Sequence, residues 1–462
     1  MTASAVQPNT WGISLGEARR HIFSELIGAA LDAADPATAV RRVMQCEGSR
    51  LTVAGKAYDL DRTERIIVAG AGKAGAPMAA ALHTILGDRI TAGWVNVKRG
   101  YLRKDQLVAD WAGAIQLHEA GHPVPDEAGR QGAERLLQMV GDLTERDLVI
   151  CVISGGGSAL LPMPAIGITL IEKQLMTQKL LACGATINEF NTVRKHLSVI
   201  KGGQLARAAW PARMISLILS DVVGSPLDVI GSGPTAPDSS TFQDAWDVLE
   251  KYHLDSQAPD SIRARLEAGR AGQLADTPKP GDPLFDSVQN VVIGDNALSA
   301  EAAARRAQQL GLNALVLSTF VEGEAREVGK VAAGLAREIV RYARPLARPA
   351  CLILGGETTV TLRGQGKGGR NQELALSAAL ALDGWEGATV LAFATDGTDG
   401  PTDAAGAVAT WDTAERARRL GMHPQAYLAN NDAYHFFETL GDLLLPGPTN
   451  TNVNDLTFVV VF

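Results

Sequence analysis

The hydrophobic positions of the chain recur with two periods, and their alternation predicts repeated strand–helix units. The apolar runs within residues 65–69 and 147–153 are short and continuous, which is typical of strands covered on both faces of a parallel sheet. Segments with helical spacing stand between such runs, for example residues 76–86 and 169–183. The pattern therefore predicts an α/β fold with a doubly wound sheet.

Two further helices are predicted from the same periodicity. Residues 14–34 have helical apolar spacing, and Ser14 with Glu17 forms a capping-box pattern at the start. Residues 188–208 are expected to form one helix that is unusually rich in basic side chains.

A stretch dense in Pro, Gly and Asp at residues 276–283 is the best linker candidate in the chain. The strand–helix pattern restarts at residue 288. We therefore expect two domains, the first covering residues 1–275 and the second, smaller one covering residues 286–462.

Composition narrows the class of protein. The 462 residues are 46% hydrophobic and 20% charged, as in ordinary globular proteins, and the net charge of −8 disfavours nucleic acid as a partner. No apolar run approaches the roughly 20 residues that span a bilayer, and the first residues do not resemble a secretory signal. None of the four cysteines forms a C-x-x-C pair. We expect a cytoplasmic protein without membrane contact.

The first candidate for chemistry is the turn at residues 70–75, which has the spacing G-x-G-x-x-G of a dinucleotide-binding turn. Its strand–turn–helix setting is expected to offer backbone N–H groups, including that of Gly72, to an anion. The second strand ends in Lys98 and Arg99 instead of the acid that binds the ribose of NAD, so NADP stays open. Lys73 adds a positive charge beside the turn. A purely structural turn with an exposed lysine is the alternative.

A second glycine-rich turn follows the strongest predicted strand. Three consecutive glycines let the backbone approach a ligand, and their N–H groups can form an anion-binding nest. The turn is not a nucleophile elbow, because its serines flank the glycines. A flexible turn without a ligand is the alternative interpretation. The candidate residues are Ser154, Gly155, Gly156, Gly157 and Ser158.

The basic helix supplies candidates for binding an acidic substrate. Arg194, Lys195 and Ser198 lie within one or two helical turns of each other, in a segment that also holds Asn191 and Lys201. In a chain of net charge −8, such a cluster would attract an anion. A solvated basic face is the alternative.

A strand predicted at residues 214–219 is followed by an acid and a tight turn. Ligands of open α/β sheets bind at the carboxyl ends of strands, so Asp221 is a candidate metal ligand or base. An N-cap or Asx turn is the alternative role. The turn contributes Gly231, Gly233 and Thr235 as further candidates.

The second block of glycine and positive charge lies at residues 355–373 and includes Glu357 and Arg370. Gly366, Gly368 and Gly369 are expected to leave the loop mobile. A mobile loop that ends in an arginine at a helix N-terminus can clamp a transferring phosphoryl group. An exposed linker is the alternative.

Acidic and amide side chains follow two of the last predicted strands. Asp396, Asp399 and Asp403 lie within eight residues and can supply oxygen ligands to Mg²⁺, although Asx turns would use the same residues. Asn452 is a candidate for binding the hydroxyl groups of a substrate. His122, between Gly121 and Pro123, is expected to be structural.

Together these blocks resemble the glycerate 2-kinase family, whose members carry a C-terminal MOFRL domain. The resemblance runs through nearly the whole chain. It rests on residues 70–75, 119–126, 154–161, 191–204, 219–235, 277–285, 355–374, 396–406 and 447–455. One departure is the sequence Leu445 to Asn452, where the family more often has Thr before the first glycine and Gly at position 450.

The resemblance implies an ATP- and Mg²⁺-dependent kinase that converts D-glycerate to 2-phosphoglycerate. It implies a Rossmann-like N-terminal domain, a smaller α/β domain with the MOFRL region at about 350–456, and an active site in the cleft between them. By position, Lys73 and Arg370 correspond to the basic residues thought to act there, and we assign Asp221 a catalytic or metal-binding role beside them. A homodimer is left open.

Two other functions remain as alternatives. An NADP-dependent hydroxypyruvate reductase would explain residues 70–75 but would leave Arg370 without a role, and members of the family have often carried that name. A sugar-phosphate sensor without enzymatic activity is the third class, and no DNA-binding element supports it.

Overall fold

The computed structural model describes residues 14–102 and 114–462. Fifteen strands lie within these ranges. In chain order they are β1 Met44–Glu47, β2 Arg50–Val53, β3 Lys56–Asp59, β4 Ile66–Ala71, β5 Ala92–Lys98, β6 Ile115–Ala120, β7 Leu148–Ile153, β8 Arg213–Leu219, β9 Val288–Gly294, β10 Asn313–Glu324, β11 Ala350–Thr359, β12 Ala388–Ala394, β13 Gly406–Thr410, β14 Leu443–Leu444 and β15 Asp455–Val461.

Sixteen α-helices alternate with the strands in the same described ranges. They are α1 Glu17–Ala33, α2 Pro36–Val43, α3 Gly75–Leu86, α4 Glu127–Val140, α5 Gly157–Leu160, α6 Leu170–Ala182, α7 Ile187–His196, α8 Gln204–Ala209, α9 Phe242–Lys251, α10 Asp260–Arg270, α11 Asn296–Gln309, α12 Ala325–Tyr342, α13 Arg370–Leu382, α14 Thr413–Arg419, α15 Pro424–Ala429 and α16 Ala433–Leu440. None of the helices in the described ranges is both long and apolar enough to cross a membrane.

The chain divides by its contacts into two compact units. The parallel-sheet unit consists of Pro36–Ser220 and Ser225–Ile293. The mixed-sheet unit contains the described residues up to Asp35, the short segment Asp221–Gly224, and Gly294–Phe462. The α/β class predicted from the sequence is confirmed.

The parallel-sheet unit is built on a six-stranded sheet of order β6-β5-β4-β7-β8-β9. Strand β4 runs parallel to both β5 and β7, and all six residues of β4 and of β7 are buried. The order of strands along the chain reverses between β4 and β7. In open sheets of this kind, ligands bind at the carboxyl ends of the strands at such a reversal. A small antiparallel sheet, β1-β2-β3, belongs to the same unit.

The mixed-sheet unit has a six-stranded sheet of order β10-β11-β15-β12-β13-β14. Strand β10 is parallel to β11, and the other neighbours are antiparallel. One face is covered by α1 and α11, whose buried Phe23 and Ala303 pack with Phe458 of β15. The other face carries α12 and α13 in a second core.

Two segments group differently from the boundaries expected at residues 275 and 286. Helix α1 packs in the mixed-sheet unit, and strand β9 completes the sheet of the parallel-sheet unit. The periodicity of a segment predicts its own conformation but carries no information about which distant sheet covers its apolar face.

Two local predictions need correction. Helix α1 begins at Glu17 after Gly16 without a side-chain cap, because the backbone N–H of Ser14 donates to Asp442 instead. The single helix predicted at residues 188–208 is two helices, α7 and α8. Helix α7 ends at His196, and Gly203, in a left-handed conformation at φ 77°, is the N-cap residue of α8.

Candidate functional site

The turn that carries Lys73 follows β4, at the point where the sheet order reverses. Lys73 is half-buried, and its backbone N–H donates to the carbonyl of Gly155 at 2.9 Å. A Cβ on Gly156 would lie 3.5 Å from the Cγ of Lys73. The two glycine-rich turns after β4 and β7 are therefore in direct contact, and Lys73 lies beside both.

The structure gives the backbone N–H groups of the first turn other acceptors than a ligand. Gly72 donates to the carbonyl of Asn96 at 3.1 Å, and Ala74 donates to Ser154 Oγ at 3.0 Å. A Cβ on Gly72 would lie 1.9 Å from that hydroxyl oxygen. The space that a dinucleotide phosphate would enter beside Gly72 is thus filled by Ser154. The expected offer of N–H groups is corrected: the turn positions Lys73.

The second turn keeps donors for a ligand. Ser154 and Gly157 form backbone hydrogen bonds to protein carbonyls. The N–H groups of Gly155 and Gly156 donate to no protein acceptor within residues 14–102 and 114–462. Gly156 has φ 81°, the left-handed conformation that turns these donors to the same side of the chain.

His122 was expected to be structural, but its ring lies against the second turn. A Cβ on Gly156 would lie 2.8 Å from Cδ2 of this ring. Burial, with the nearby charges of Lys73 and Lys98, lowers the pKa of His122 to about 4. His122 is therefore neutral at pH 7, and its buried Nδ1 has no partner among the described residues. Its position between a glycine and a proline was the only signal in the sequence.

The structure separates the roles of the candidates on α7. Lys195 is 3% exposed and is ion-paired with Asp228 and Asp238, each at 3.2 Å. Arg194 forms no ion pair among the described residues, and its guanidinium lies over the ring of Phe190 at 4.7 Å. The charge of Lys195 is thus compensated by protein carboxylates, whereas the charge of Arg194 is available to a ligand.

Asn191 and the turn after β8 form a buried polar group. Ser232 Oγ donates to Asn191 Oδ1 at 2.9 Å and lies 2.7 Å from Ser158 Oγ. Gly231 and Gly233 flank Ser232, and all three have φ between 58° and 65°. This strained turn aims the Ser232 hydroxyl at the turn after β7.

Thr235 has a different environment from its neighbours in the same turn. Its hydroxyl donates to Asn290 Oδ1 at 2.8 Å, and the amide of Asn290 returns a bond to the Thr235 carbonyl at 3.0 Å. These contacts fasten the turn to β9.

Arg370 opens helix α13 in the mixed-sheet unit and is held by two carboxylates. Its guanidinium forms two hydrogen bonds to Asp455, which is 6% exposed, and one to Glu357 at 2.8 Å. Asp455, the first residue of β15, ends the stretch 447–455 that carries part of the family resemblance, but the sequence did not predict its pairing with Arg370. A fixed, planar guanidinium with a partly exposed edge suits a phosphate or carboxylate ligand.

Three acids of the mixed-sheet unit repel one another. Burial raises the pKa of Glu357, and the charges of Asp221 and Asp396 raise it further. Asp396 Oδ1 also accepts the N–H of Thr398 at 3.1 Å, the Asx turn that was the alternative for this residue. No group of three or more His, Cys, Asp or Glu residues in the described part of the chain is arranged to hold a metal ion by itself.

The glycine-rich loop before Arg370 is closely packed. The N–H groups of Arg363 and Gly364 donate to Asn431 Oδ1, and that of Lys367 donates to Asp432 Oδ1 at 2.9 Å. A Cβ on Gly366 would lie 2.4 Å from Asp432. The expectation of a mobile loop is corrected: the glycines permit close packing against these side chains.

Asn452 lies near the end of the mixed-sheet unit, ahead of β15. Its side-chain oxygen accepts the N–H of Asn454 at 3.3 Å. The Asn454 amide lies 3.5 Å from Glu357, so this segment adjoins the carboxylates that hold Arg370.

Asp399 binds the N-terminus of α13. Its carboxylate accepts the N–H groups of Asn371 and Gln372 at 3.2 and 2.9 Å. Burial, together with the charge of Asp455, raises its pKa to about 7. The contact is a means of positioning Arg370, the residue that opens the helix.

The raised pKa of Asp399 predicts a pH-dependent stability. The folded chain binds this proton more tightly than the unfolded chain, so the stabilisation is complete below about pH 4 and is lost as the pH rises to about 7. Asp399→Asn keeps an acceptor oxygen and does not titrate. Chemical unfolding measures the free energy of unfolding of both proteins between pH 4 and 8. As the pH rises, the wild type should lose stability relative to Asp399→Asn. A difference that is constant across this range would contradict the assignment.

The fold and these residues define a class of protein. A Rossmann-like parallel sheet carries cationic and N–H donors at its reversal point, and a second α/β unit carries an arginine held by acids. Such chemistry serves an enzyme that handles small anionic, phosphate-bearing ligands.

Comparison with known proteins specifies the family. A family model described as a domain of unknown function (DUF4147) matches residues 22–267, and the MOFRL family model matches residues 350–455. D-glycerate 2-kinase of Thermotoga maritima is 44% identical over 85% of this chain and 90% of its own length. Glycerate 2-kinase of Pyrococcus horikoshii is 41% identical over 96% and 97%. The chain belongs to the glycerate 2-kinase family.

Solved structures agree with this assignment. The crystal structure of glycerate kinase from Thermotoga maritima superposes with a TM-score of 0.85 at 40% identity, covering 97% of this chain and 100% of that one. A relative from Agrobacterium vitis, 42% identical over 96% of this chain and 94% of its own length, carries the name hydroxypyruvate reductase.

Proposed function

We propose that this chain transfers the γ-phosphoryl group of ATP to the 2-hydroxyl of D-glycerate. The observation that carries the proposal is the similarity, over nearly the full length, to proteins named glycerate 2-kinase. We place the reaction in the cytoplasm, where ATP is available and the four free cysteines stay reduced.

The roles of the residues follow from their charges and donors. Phosphoryl transfer needs positioning and neutralisation of charge more than covalent chemistry. Lys73 in the parallel-sheet unit and Arg370 in the mixed-sheet unit each supply positive charge that neutralises phosphate. The N–H groups of Gly155 and Gly156 and the charge of Arg194 bind an anionic group of a substrate, either a phosphate of ATP or the carboxylate of glycerate.

The acids of the mixed-sheet unit fit a magnesium ion bound together with nucleotide. Mg²⁺ usually takes one or two carboxylates and completes its octahedron with water and substrate phosphates, so a complete protein cage is not required. Asp221 and Asp396 would hold it, with Glu357 beside them, and the ion would neutralise phosphate charge. Burial is the main cause of the raised pKa of Glu357, the charges of Asp221 and Asp396 raise it further, and a cation would relieve this repulsion.

This magnesium assignment predicts the effect of Glu357→Gln. We expect the Mg²⁺ concentration that gives half-maximal activity to rise about tenfold, since one charge-assisted contact is worth about that factor. The control is Glu327→Gln, an exposed acid paired with Lys330 on α12. Activity measured against free Mg²⁺ at saturating ATP tests the prediction, and identical curves for Glu357→Gln and wild type would contradict it.

The reductase alternative has one observation in its favour, the name of the Agrobacterium vitis relatives. The turn after β4 argues against it, because Ser154 occupies the space beside Gly72 and accepts the N–H of Ala74. Strand β5 ends in Lys98 without an acid for the ribose, which argues against NAD but not against NADP.

One coupled assay distinguishes the two reactions. The purified chain with D-glycerate, ATP and Mg²⁺ should release ADP, and NMR of the product should show phosphate on the 2-hydroxyl. Oxidation of NADPH by hydroxypyruvate without any release of ADP from glycerate would overturn the kinase proposal.

A further inference from the structure

Lys201 is a buried amine that the proposed reaction has not yet used. It is 1% exposed, and its Nζ donates to the carbonyl of Ser158 at 2.8 Å and to Ser158 Oγ at 3.0 Å. An ammonium group has three N–H donors, so one is left for a further acceptor. Lys201 forms no ion pair within the described residues.

Two neighbouring basic side chains, Lys173 and Arg194, also form no ion pair with a carboxylate among the described residues. Lys173 is 6% exposed, and within the described part of the chain its Nζ donates only to the carbonyls of Pro162 and Met163, both at 3.4 Å. Arg194 has a buried Nε without a hydrogen-bond partner in the described ranges. Burial lowers the pKa of Lys201, and the charges of Arg194 and Lys173 lower it further.

Buried charges in proteins are normally paired, because desolvation of an unpaired ion costs several kcal/mol. Lys195, which is on the same helix as Arg194, is paired in this way, because its amine forms ion pairs with Asp228 and Asp238. Three neighbouring basic side chains without a carboxylate therefore lack the negative charge that would stabilise their protonated forms, and burial lowers the pKa of both lysines. An anionic ligand would supply this charge.

The donors around Lys201 converge on one turn. Ser158 lies in the short helix α5, directly after the turn that follows β7, and its hydroxyl lies between Lys201 Nζ and Ser232 Oγ. The same turn supplies the N–H groups of Gly155 and Gly156 and lies at the reversal point of the sheet. Charge, hydroxyl groups and N–H groups therefore meet where this fold binds ligands.

We infer that Lys201, with Arg194 and Lys173 behind it, forms with Ser158 and the preceding glycines an oxyanion site that binds a substrate in the reaction. The ligand is a phosphate of the nucleotide or the carboxylate of glycerate, which present the same chemistry to these donors. The identity of the ligand rests on the proposed function. The location of the site rests on the contacts of Lys201 and Ser158.

Calorimetric titration tests the site without turnover. The full chain is titrated with sodium tripolyphosphate and separately with D-glycerate, and KM for ATP and for D-glycerate is measured in parallel. For Lys201→Met we expect at least about tenfold weaker binding of one anion and a matching rise in the corresponding KM. Loss of tripolyphosphate binding identifies the nucleotide phosphate as ligand, and loss of D-glycerate binding identifies the carboxylate.

Lys179→Met is the matched control, because Lys179 lies on the same helix as Lys173 but is only partly buried and bonds Gln257. It should behave as wild type. Arg194→Gln is the second variant, used also if Lys201→Met does not fold, and should weaken binding of the same anion.

The outcomes separate the inference from the proposed function. Unchanged binding of both anions in a folded Lys201→Met or Arg194→Gln variant overturns the inference even when the wild type is an active kinase. A wild type without kinase activity, whose tripolyphosphate binding is lost in these variants, overturns the proposed function and supports the site.

Discussion

Lys73→Ala is expected to lower kcat by about 10²- to 10³-fold, the usual effect of removing one preorganised group that stabilises charge in the transition state. The unfolding temperature should stay close to that of wild type. The backbone N–H of residue 73 keeps its bond to Gly155, and the side chain forms no ion pair among the described residues. Steady-state kinetics and calorimetric unfolding of the same preparation measure both effects.

The Lys73 variant has a second readout in His122. The charge of Lys73 contributes to the low pKa of this histidine, so its removal should raise the pKa of His122 from about 4. NMR titration of the imidazole measures this shift. Lys56→Ala, which removes an exposed lysine of the small sheet, should leave both kcat and the pKa of His122 unchanged. Full activity in Lys73→Ala would contradict the catalytic assignment.

Arg370→Ala is expected to lower kcat by a similar factor of about 10²- to 10³-fold, and also to destabilise the fold. Arg370 holds Asp455, a buried carboxylate, through two hydrogen bonds. Removing one partner of a buried ion pair costs about 3–5 kcal/mol. The two basic residues therefore differ: Lys73 can be removed without a structural cost, and Arg370 cannot.

The destabilisation by Arg370→Ala should depend on pH. With Arg370 present, burial still raises the pKa of Asp455 to about 6, and without the arginine this pKa rises further. Asp455 is then neutral at pH 5, so the loss of stability is small there and grows as the pH rises to 8. Urea unfolding at pH 5 and pH 8 measures this loss of stability.

Arg370→Lys should recover part of the stability without recovering kcat, since a lysine cannot form the two-bond contact. An equal loss of stability in Arg370→Ala at pH 5 and pH 8 would contradict the role assigned to Asp455.

The local sequence was sufficient to predict those strands and helices whose own residues show a clear apolar pattern. Strands β4 and β7 are continuous apolar runs that end in glycines, and both were predicted to within two residues at each end. The α/β class followed from these runs, and the family followed from motifs spread along the chain. Helices α9 and α10 and the small sheet β1-β2-β3 were not predicted, although the buried residues Phe242, Ala245, Trp246 and Leu249 of α9 recur with helical spacing.

The sequence by itself determined the two glycine-rich turns, the basic helix α7 and the arginine at the start of α13, since residue type and order create these features. Only the tertiary structure decided which of them retain free charge. Arg194 and Lys195 are adjacent and chemically similar, yet aspartates at positions 228 and 238 neutralise only Lys195. Likewise Ser154, 82 positions after Gly72, fills the space that its glycine spacing suggested for a dinucleotide. The physical reason is that compensation of charge and occupancy of space depend on residues distant in the chain, which local periodicity does not encode.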